Sequence, residues 1–265
     1  MAVVAVVAGK GAPGVTTGVL ALALSWPGLV LAADCDASGG DVSAGWLAGR
    51  VETDRGVLTA VTGMRHGQPP LPGEICGHCV QIPEAPDLLV LPGLASAGQA
   101  GALGAAGWAR LAAALAAAEW PGRGRLDVVA DCGRLIGPVP WPVLAVADVL
   151  LLAVRPTLRG VRHARYGIDQ ISAELADLRG LWLLVTGPGP YPPADVGRAL
   201  GHRVLAVLPA DPAAAAVLSD GASPGRIRSR SQLLTAAAAA ARLLHRMPRS
   251  RLPLRGQIGM AEVGR

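Results

Sequence analysis

Seven short apolar runs constrain this chain more than any other feature: VVAVVA (3–8), LVLAA (29–33), DLLVL (87–91), LDVVA (126–130), DVLLLAV (148–154), LWLLV (181–185) and VLAVL (204–208). Their apolar residues are consecutive rather than alternating. A strand with one wet face alternates; a strand covered on both faces does not. Helical patterns separate the runs. In LRGVRHARYGIDQISAELADL, residues Val161, Ala164, Ile168, Ile171, Leu175 and Leu178 follow a 3, 4, 3, 4, 3 spacing and form one apolar stripe. WARLAAALAAAEW and SQLLTAAAAAARLLHRM are Ala-rich helices. Strand and helix in alternation predict a doubly wound, mainly parallel α/β sheet with helices on both faces. We place it in one domain over residues 1–245, with no dividing linker.

The stretch VPWPVLAVADVLLLAV reads as a loop, a short helix and a buried strand, because Pro142 and Asp148 interrupt it. Residues 64–86, rich in Pro, Gly and Cys, read as a surface loop. The basic, proline-broken residues 246–265 read as a flexible tail.

Half of the 265 residues are hydrophobic (51%), so a large core can form, and with no Phe it must be built from Ala, Val and Leu. The net charge of +5 favours acidic partners without choosing among them. MAVVAVVAG has no basic flank and is too short to span a bilayer. Cys35 and Cys132 sit where small buried thiols fit, and a reducing, cytoplasmic home is expected.

In open α/β sheets ligands gather at the carboxyl ends of the strands. The first such end carries GKGAPGVTTG. This stretch holds the one lysine, Lys10, among 24 Lys and Arg residues. From Gly9 to Thr16 it has the spacing of a phosphate loop, G-x-x-x-x-G-K-[ST], except that Val15 replaces the second lysine. Backbone amides of Gly9, Lys10, Gly11, Ala12, Pro13, Gly14, Val15, Thr16 and Thr17 would surround a phosphate, Pro13 lacking a donor, with Thr17 opening the helix. Thr16 supplies a hydroxyl for Mg²⁺.

KGAPGVTT resembles the deviant Walker A loop of the MinD/ParA group of P-loop ATPases. VLAADCDASGGDV, LDVVADCG, ADVLLLAVRPTLRGVRHA and VLAVLPADPAAAAVLSDG resemble that group's later motifs, in order, across roughly residues 1–245. A small residue in place of the second lysine narrows the likeness to the CpaE/TadZ branch, which localises Tad pilus machinery. The resemblance implies a P-loop NTPase fold and ATP–Mg²⁺ as cofactors. It implies a homodimer in which Lys10 reaches the partner's nucleotide, and recruitment of a larger assembly. Asp34 and Asp131, at strand ends, would bind Mg²⁺ through water, and Asp36 would orient the attacking water. Pro209, Asp211 and Pro212 fall at the adenine turn. Thr186 and Gly187 stand where the group often has an adenine-reading asparagine, and Ala12 where it has a glycine. With Val15 in place, slow hydrolysis or binding without turnover is expected.

Other readings stand beside this one. Val15, Ala12 and the missing asparagine suit a pseudo-ATPase scaffold that needs no nucleotide. Cys76 and Cys79, in CGHC, suit a thiol or metal protein, although the Pro- and Gly-rich setting reads as an incidental loop. Arg155, Arg159, Arg162 and Arg165 read as a solvated helix face, or as a docking surface for protein or nucleic acid. Asp41 reads as a helix cap. The tail has too few bulky apolar residues for an amphipathic membrane helix.

Overall fold

The structure, a computed structural model, describes residues 2–11, 13–49, 51, 54–64, 68–176, 180–222 and 230–247. Ala12, Leu178 and the tail beyond 247 therefore lie outside the described residues.

The strands are β1 (Val3–Ala8), β2 (Val30–Asp34), β3 (Val80–Ile82), β4 (Ala85–Leu91), β5 (Glu119–Trp120), β6 (Gly124–Arg125), β7 (Asp127–Arg134), β8 (Val149–Val154), β9 (Leu181–Thr186) and β10 (Val204–Leu208). The helices are α1 (Val15–Leu24), α2 (Val57–Gly63), α3 (Ala97–Ala116), α4 (Trp141–Ala145), α5 (Leu158–Glu174), α6 (Pro193–Leu200), α7 (Pro212–Asp220) and α8 (Gln232–Arg246). One eight-stranded sheet has the order β10-β9-β8-β1-β7-β2-β4-β3. Its pairs are parallel except the edge pair β3/β4. β1 sits mid-sheet between β7 and β8, and the strand order reverses there, which opens a crevice at the carboxyl ends.

All seven apolar runs are strands. Alternate side chains of each central strand enter opposite cores. Val3, Ala5 and Val7 face α2 to α6; Val4, Val6 and Ala8 face α1, α7 and α8. Double coverage is the physical reason the runs do not alternate. The α5 stripe also holds, with Ala164, Ile171 and Leu175 buried. Leu175 lies one residue past the helix end.

Several boundaries differ from the sequence expectation. The 64–86 segment is more than a loop: a single 3₁₀ turn (Glu74–His78) leads into β3 and the start of β4. Short, half-exposed β3 has no continuous apolar run to announce it. α3 begins at Ala97, far ahead of WARLAAALAAAEW, and Glu119–Trp120 pairs in a two-stranded ribbon with Gly124–Arg125. Asp41 caps no helix; its carbonyl closes a turn with the Gly45 amide.

At the amino ends of the strands, buried carboxylates hold the start of β1. Asp127 Oδ1 accepts the Ala2 N–H at 2.5 Å, and Asp148 Oδ2 accepts the Val3 N–H at 2.9 Å. Asp127 Oδ2 also accepts Trp26 Nε1–H at 3.0 Å and meets His245 Nδ1 at 2.7 Å, which fastens α8 to the sheet. Burial alone would raise the Asp127 pKa, but the hydrogen bonds from Trp26, Ala2 and His245 outweigh it and hold the carboxyl below its ordinary value.

A carboxylate depressed in the folded state stabilises the protein above its unfolded pKa, about 3.9. That stabilisation is lost as pH falls through the lower folded value. Asp127→Asn should therefore cost about 1–3 kcal/mol in urea unfolding at pH 7. The difference from the parent should shrink as pH drops below about 4. A difference that stays constant down to that pH would show that the carboxylate charge contributes nothing.

Candidate functional site

β1 ends against α5 and releases a short glycine-rich loop before α1. Gly11 and Gly14 have φ of 82° and 88°, both in the left-handed region. Gly14 is the N-cap of α1, no side chain caps the helix, and its first turn carries no acid. The first amides of a helix lack intrahelical partners, so this start offers bare N–H donors and the positive dipole end. The helix opens at Val15, not at Thr17. Lys10 is exposed on the loop, while Val15 is buried in the core formed with α7 and α8. The side chain at the usual lysine position thus serves packing.

Two carboxyl groups lie beside this helix start. β2 and β7 pair in parallel with Asp34 opposite Asp131. Both side chains are buried. Asp131 is not at a strand end, as the sequence suggested, because β7 continues to Arg134 past an irregularity in its pairing with β1. Asp131 Oδ1 accepts the Gly133 N–H at 2.8 Å. Oδ2 is enclosed and has no partner at hydrogen-bonding geometry among the described residues. Burial pushes the Asp131 carboxyl up to about 6; the Thr16 hydroxyl and the Gly133 amide pull it down, while Asp36 and Asp41 add to the rise. Asp34 is raised well above the ordinary range, first by burial and then by the Asp131 charge. Its oxygens accept the Asp36 N–H at 3.4 Å and the Val42 N–H at 3.3 Å. Gly40 and Gly93 close over it, so that a Cβ at either would lie between 2.1 and 2.8 Å from the carboxyl.

Asp36 is only half-buried, and its Oδ1 accepts the Ser38 N–H at 2.8 Å. Gly133, at φ 63°, lies against it: a Cβ there would come within 2.3 Å of the Asp36 carboxyl carbon. Gly133 thus brings the second-strand turn and β7 together, and sequence reading missed it. The signal was present, since a glycine inside an apolar strand pattern marks a bulge or a close approach.

The later motif behaves differently. Asp211 is the N-cap of α7, accepting the Ala214 N–H at 3.1 Å, and its other oxygen accepts the Ser231 hydroxyl at 2.7 Å. The Ser231 hydrogen bond leads the causes that lower its pKa. Asp211 therefore has a structural task, tying α7 to α8, with Pro212 at the first helical position and half-buried Pro209 just ahead. Thr186 ends β9 with its hydroxyl buried and unpartnered.

Cys76 and Cys79 are not gathered into this site. They line a cavity of about 450 Å³ with Arg55 and Trp120 at the β3 edge, separated from β1 by β7, β2 and β4. Both thiols donate to carbonyls, of Glu119 at 3.1 Å and Ile75 at 3.2 Å. Burial raises Cys76 to about 11 and Cys79 well above its ordinary value, which keeps both as thiols. Among the described residues, no three or more His, Cys, Asp or Glu side chains are arranged to hold a metal ion. No described helix is long and apolar enough to cross a membrane.

The loop, the uncapped helix after β1 and the parallel sheet define a P-loop NTPase fold of the doubly wound α/β class. Solved structures that share it include MinD and ParA ATPases. The MinD cell division protein of Aquifex aeolicus matches with TM-score 0.68 at 18% identity, covering 94% of this chain and 100% of that one. A ParA family ATPase from Chlorobium tepidum TLS matches with TM-score 0.69 at 18% identity, covering 91% and 98%. MinD complexed with Mg-ADP from Pyrococcus horikoshii OT3 matches with TM-score 0.68 at 15% identity, covering 92% and 96%. No protein-family profile matches the chain, and no curated protein does.

Gly133→Ala should destabilise the protein in urea unfolding by about 1–3 kcal/mol from the positive φ, with a further loss from the clash with Asp36. Asp36→Ala removes the clash and leaves the φ cost. The double variant should therefore lose less than the two single losses added together, by about 0.5–3 kcal/mol. Additive losses would disprove the contact.

Proposed function

We propose that this chain is a nucleotide-dependent positioning or scaffold ATPase of the MinD/ParA kind. It binds ATP–Mg²⁺, pairs face to face with a second copy and recruits a larger assembly, with weak hydrolysis or none. The single observation behind this reading is the uncapped start of α1, where the Thr16 hydroxyl approaches Asp131 and Asp131 Oδ2 has no partner. A buried carboxylate oxygen with no donor is costly, and a cation there would satisfy it.

The residues present fit Mg²⁺ and a triphosphate. Thr16 would ligate the ion, with Asp34 and Asp131 acting through water; a single hydroxyl ligand leaves room for water and phosphate oxygens, as Mg²⁺ prefers. Bound Mg²⁺ would offset the charge of the phosphates. Glycine-loop and α1 amides grip the phosphate oxygens. Exposed Lys10 is free to extend toward a partner's nucleotide, a task that a compact ammonium on a flexible stem suits. Asp36, half-buried beside Gly133, orients the attacking water. Because Val15 supplies no charge near the γ-phosphate, turnover is slow. The Mg-ADP complex named for the P. horikoshii relative supports the cofactor assignment. The small residue at the second-lysine position supports the CpaE/TadZ branch and a Tad-type assembly as the cargo. A second reading, the scaffold that needs no nucleotide, is favoured by Val15 lying in the core.

Light scattering on size-exclusion fractions separates the two. ATP–Mg²⁺ should convert the 26.8 kDa protomer into a dimer. Lys10→Ala should still bind ATP yet remain a monomer. A variant that pairs as well as the parent would eliminate the trans-lysine role, and absence of ATP binding by the parent would leave only the scaffold.

Asp131→Asn should lower ATP affinity in the presence of Mg²⁺ by about tenfold or more, equal to about 1.4 kcal/mol. In isothermal titration without Mg²⁺ the variant and the parent should agree. Equal affinities under both conditions would remove Asp131 from the metal site.

A further inference from the structure

A groove of about 830 Å³ runs beside the glycine-rich loop. Lys10 forms its rim, Ile136 from the turn after β7 forms one wall, and the first half of α5 forms the other with Leu158, Arg159, Arg162 and Tyr166. Leu158 is 71% exposed, Tyr166 50% and Ile136 43%. These are three of the seven large apolar side chains that are exposed among the described residues. Single exposed apolar groups are ordinary, whereas a cluster of them rimmed by charge marks a binding surface. The lining carries one lysine and two arginines, and no carboxylate. Leu158, Arg162 and Tyr166 recur every four residues, as do Arg159 and half-buried His163, so apolar and basic groups share one helix face.

The chemistry selects the occupant. A second copy placed on the groove by two-fold symmetry would set Lys10, Arg159 and Arg162 against the same cations. A nucleic-acid backbone would satisfy the arginines but leave Leu158 and Ile136 against phosphate and sugar. A carboxylate-bearing segment with one apolar face satisfies both sets at once. Arg165, the next arginine along α5, already donates to the Ala199 carbonyl of α6, which confines the basic surface to the helix start.

We infer that this groove docks an acidic amphipathic segment of a partner protein. Its carboxylates pair with Arg159, Arg162 and Lys10, and its apolar side chains cover Leu158, Ile136 and Tyr166.

The groove is mechanically joined to the loop. The backbone of α5 touches the end of β1 so closely that a Cβ on Gly9 would lie 2.0 Å from the His163 carbonyl oxygen. A Cβ on Gly11 would lie 3.6 Å from His163 Nδ1. An occupant that pairs with Lys10 takes that ammonium away from a second copy's nucleotide. This coupling, but not the docking itself, rests on the function proposed above. Linkage makes it reciprocal: nucleotide-driven pairing and segment binding weaken each other.

The test uses the full chain and fluorescence anisotropy. The probe is a fluorescein-labelled helical peptide about four turns long, with Leu along one face and Glu beside it. Saturable binding is expected without nucleotide. Arg159→Glu with Arg162→Glu should weaken it at least tenfold, and Leu158→Ser several-fold. Arg242→Glu, on α8 across the sheet, should leave it unchanged. A peptide with Ser in place of Leu should bind about tenfold more weakly, since lost apolar burial of about 1.4 kcal/mol has that effect. Thermal unfolding checks that each variant is folded. Absence of saturable binding, an equal loss in Arg242→Glu, or duplex DNA outcompeting the peptide at the same arginines would each overturn the proposal. ATP–Mg²⁺ should weaken the peptide several-fold in the parent and not in Lys10→Ala. A parent that binds the peptide and ignores ATP keeps the docking site and defeats the nucleotide reading, so the two failures are distinguishable.

Discussion

Two buried carboxyl groups set side by side dominate this structure. Asp34 and Asp131 are opposite each other on adjacent parallel strands, each surrounded by protein; burial raises both, and the Asp131 charge raises Asp34 further. Like charges in a low-dielectric site cannot both ionise without help from a cation or from aligned donors. The surrounding architecture limits that help. Gly40 and Gly93 leave no slack around Asp34, Gly133 presses on Asp36, and the uncapped start of α1 stands nearby as a preorganised positive end. The site is thus short of positive charge, which the Mg²⁺ proposed above would supply.

Strand β7 shows how position alone assigns roles to one residue type. Asp127 and Asp131 are four residues apart on the same strand, yet their pKa values move in opposite directions. At the amino end, hydrogen bonds from Ala2, Trp26 and His245 saturate Asp127 and keep it ionised as a structural anchor. Toward the carboxyl end, burial outweighs the few donors available to Asp131. Saturated carboxylates hold a fold together; under-satisfied ones are available for ligands.

Placement of the lone lysine follows the same logic. A lysine at position 15 would enter an apolar core beside α7 and α8, and valine fits there instead. The ammonium at position 10 stays exposed, above a groove whose α5 wall is pressed against the loop through Gly9. Loop, helix and groove are therefore in direct contact.

Much of this was legible in the sequence, and the failures have physical causes. Consecutive apolar residues announce a parallel-sheet strand, so all seven such strands could be read, including β10, which lies at the sheet edge and is only partly covered. The phosphate-loop spacing could be read because it depends on local backbone geometry between β1 and α1. The β3 edge strand was missed because a half-exposed strand of three residues carries no pattern. Asp131 was misplaced at a strand end because the bulge that lengthens β7 is set by pairing with β1. Asp211 caps α7 through the nearby Ala214 N–H, a local role, while its bond from the Ser231 hydroxyl, 20 residues away in the chain, could not be read from the sequence. By itself, the sequence determined which continuously apolar segments are strands and where a phosphate loop can form, since those depend on neighbours along the chain. Only the tertiary structure decided which carboxylates are starved of donors, which are satisfied, and that apolar and basic groups of α5 meet Lys10. Hydrogen bonding and burial are fixed by neighbours in space, and in this fold those neighbours come from strands and helices far apart in the chain.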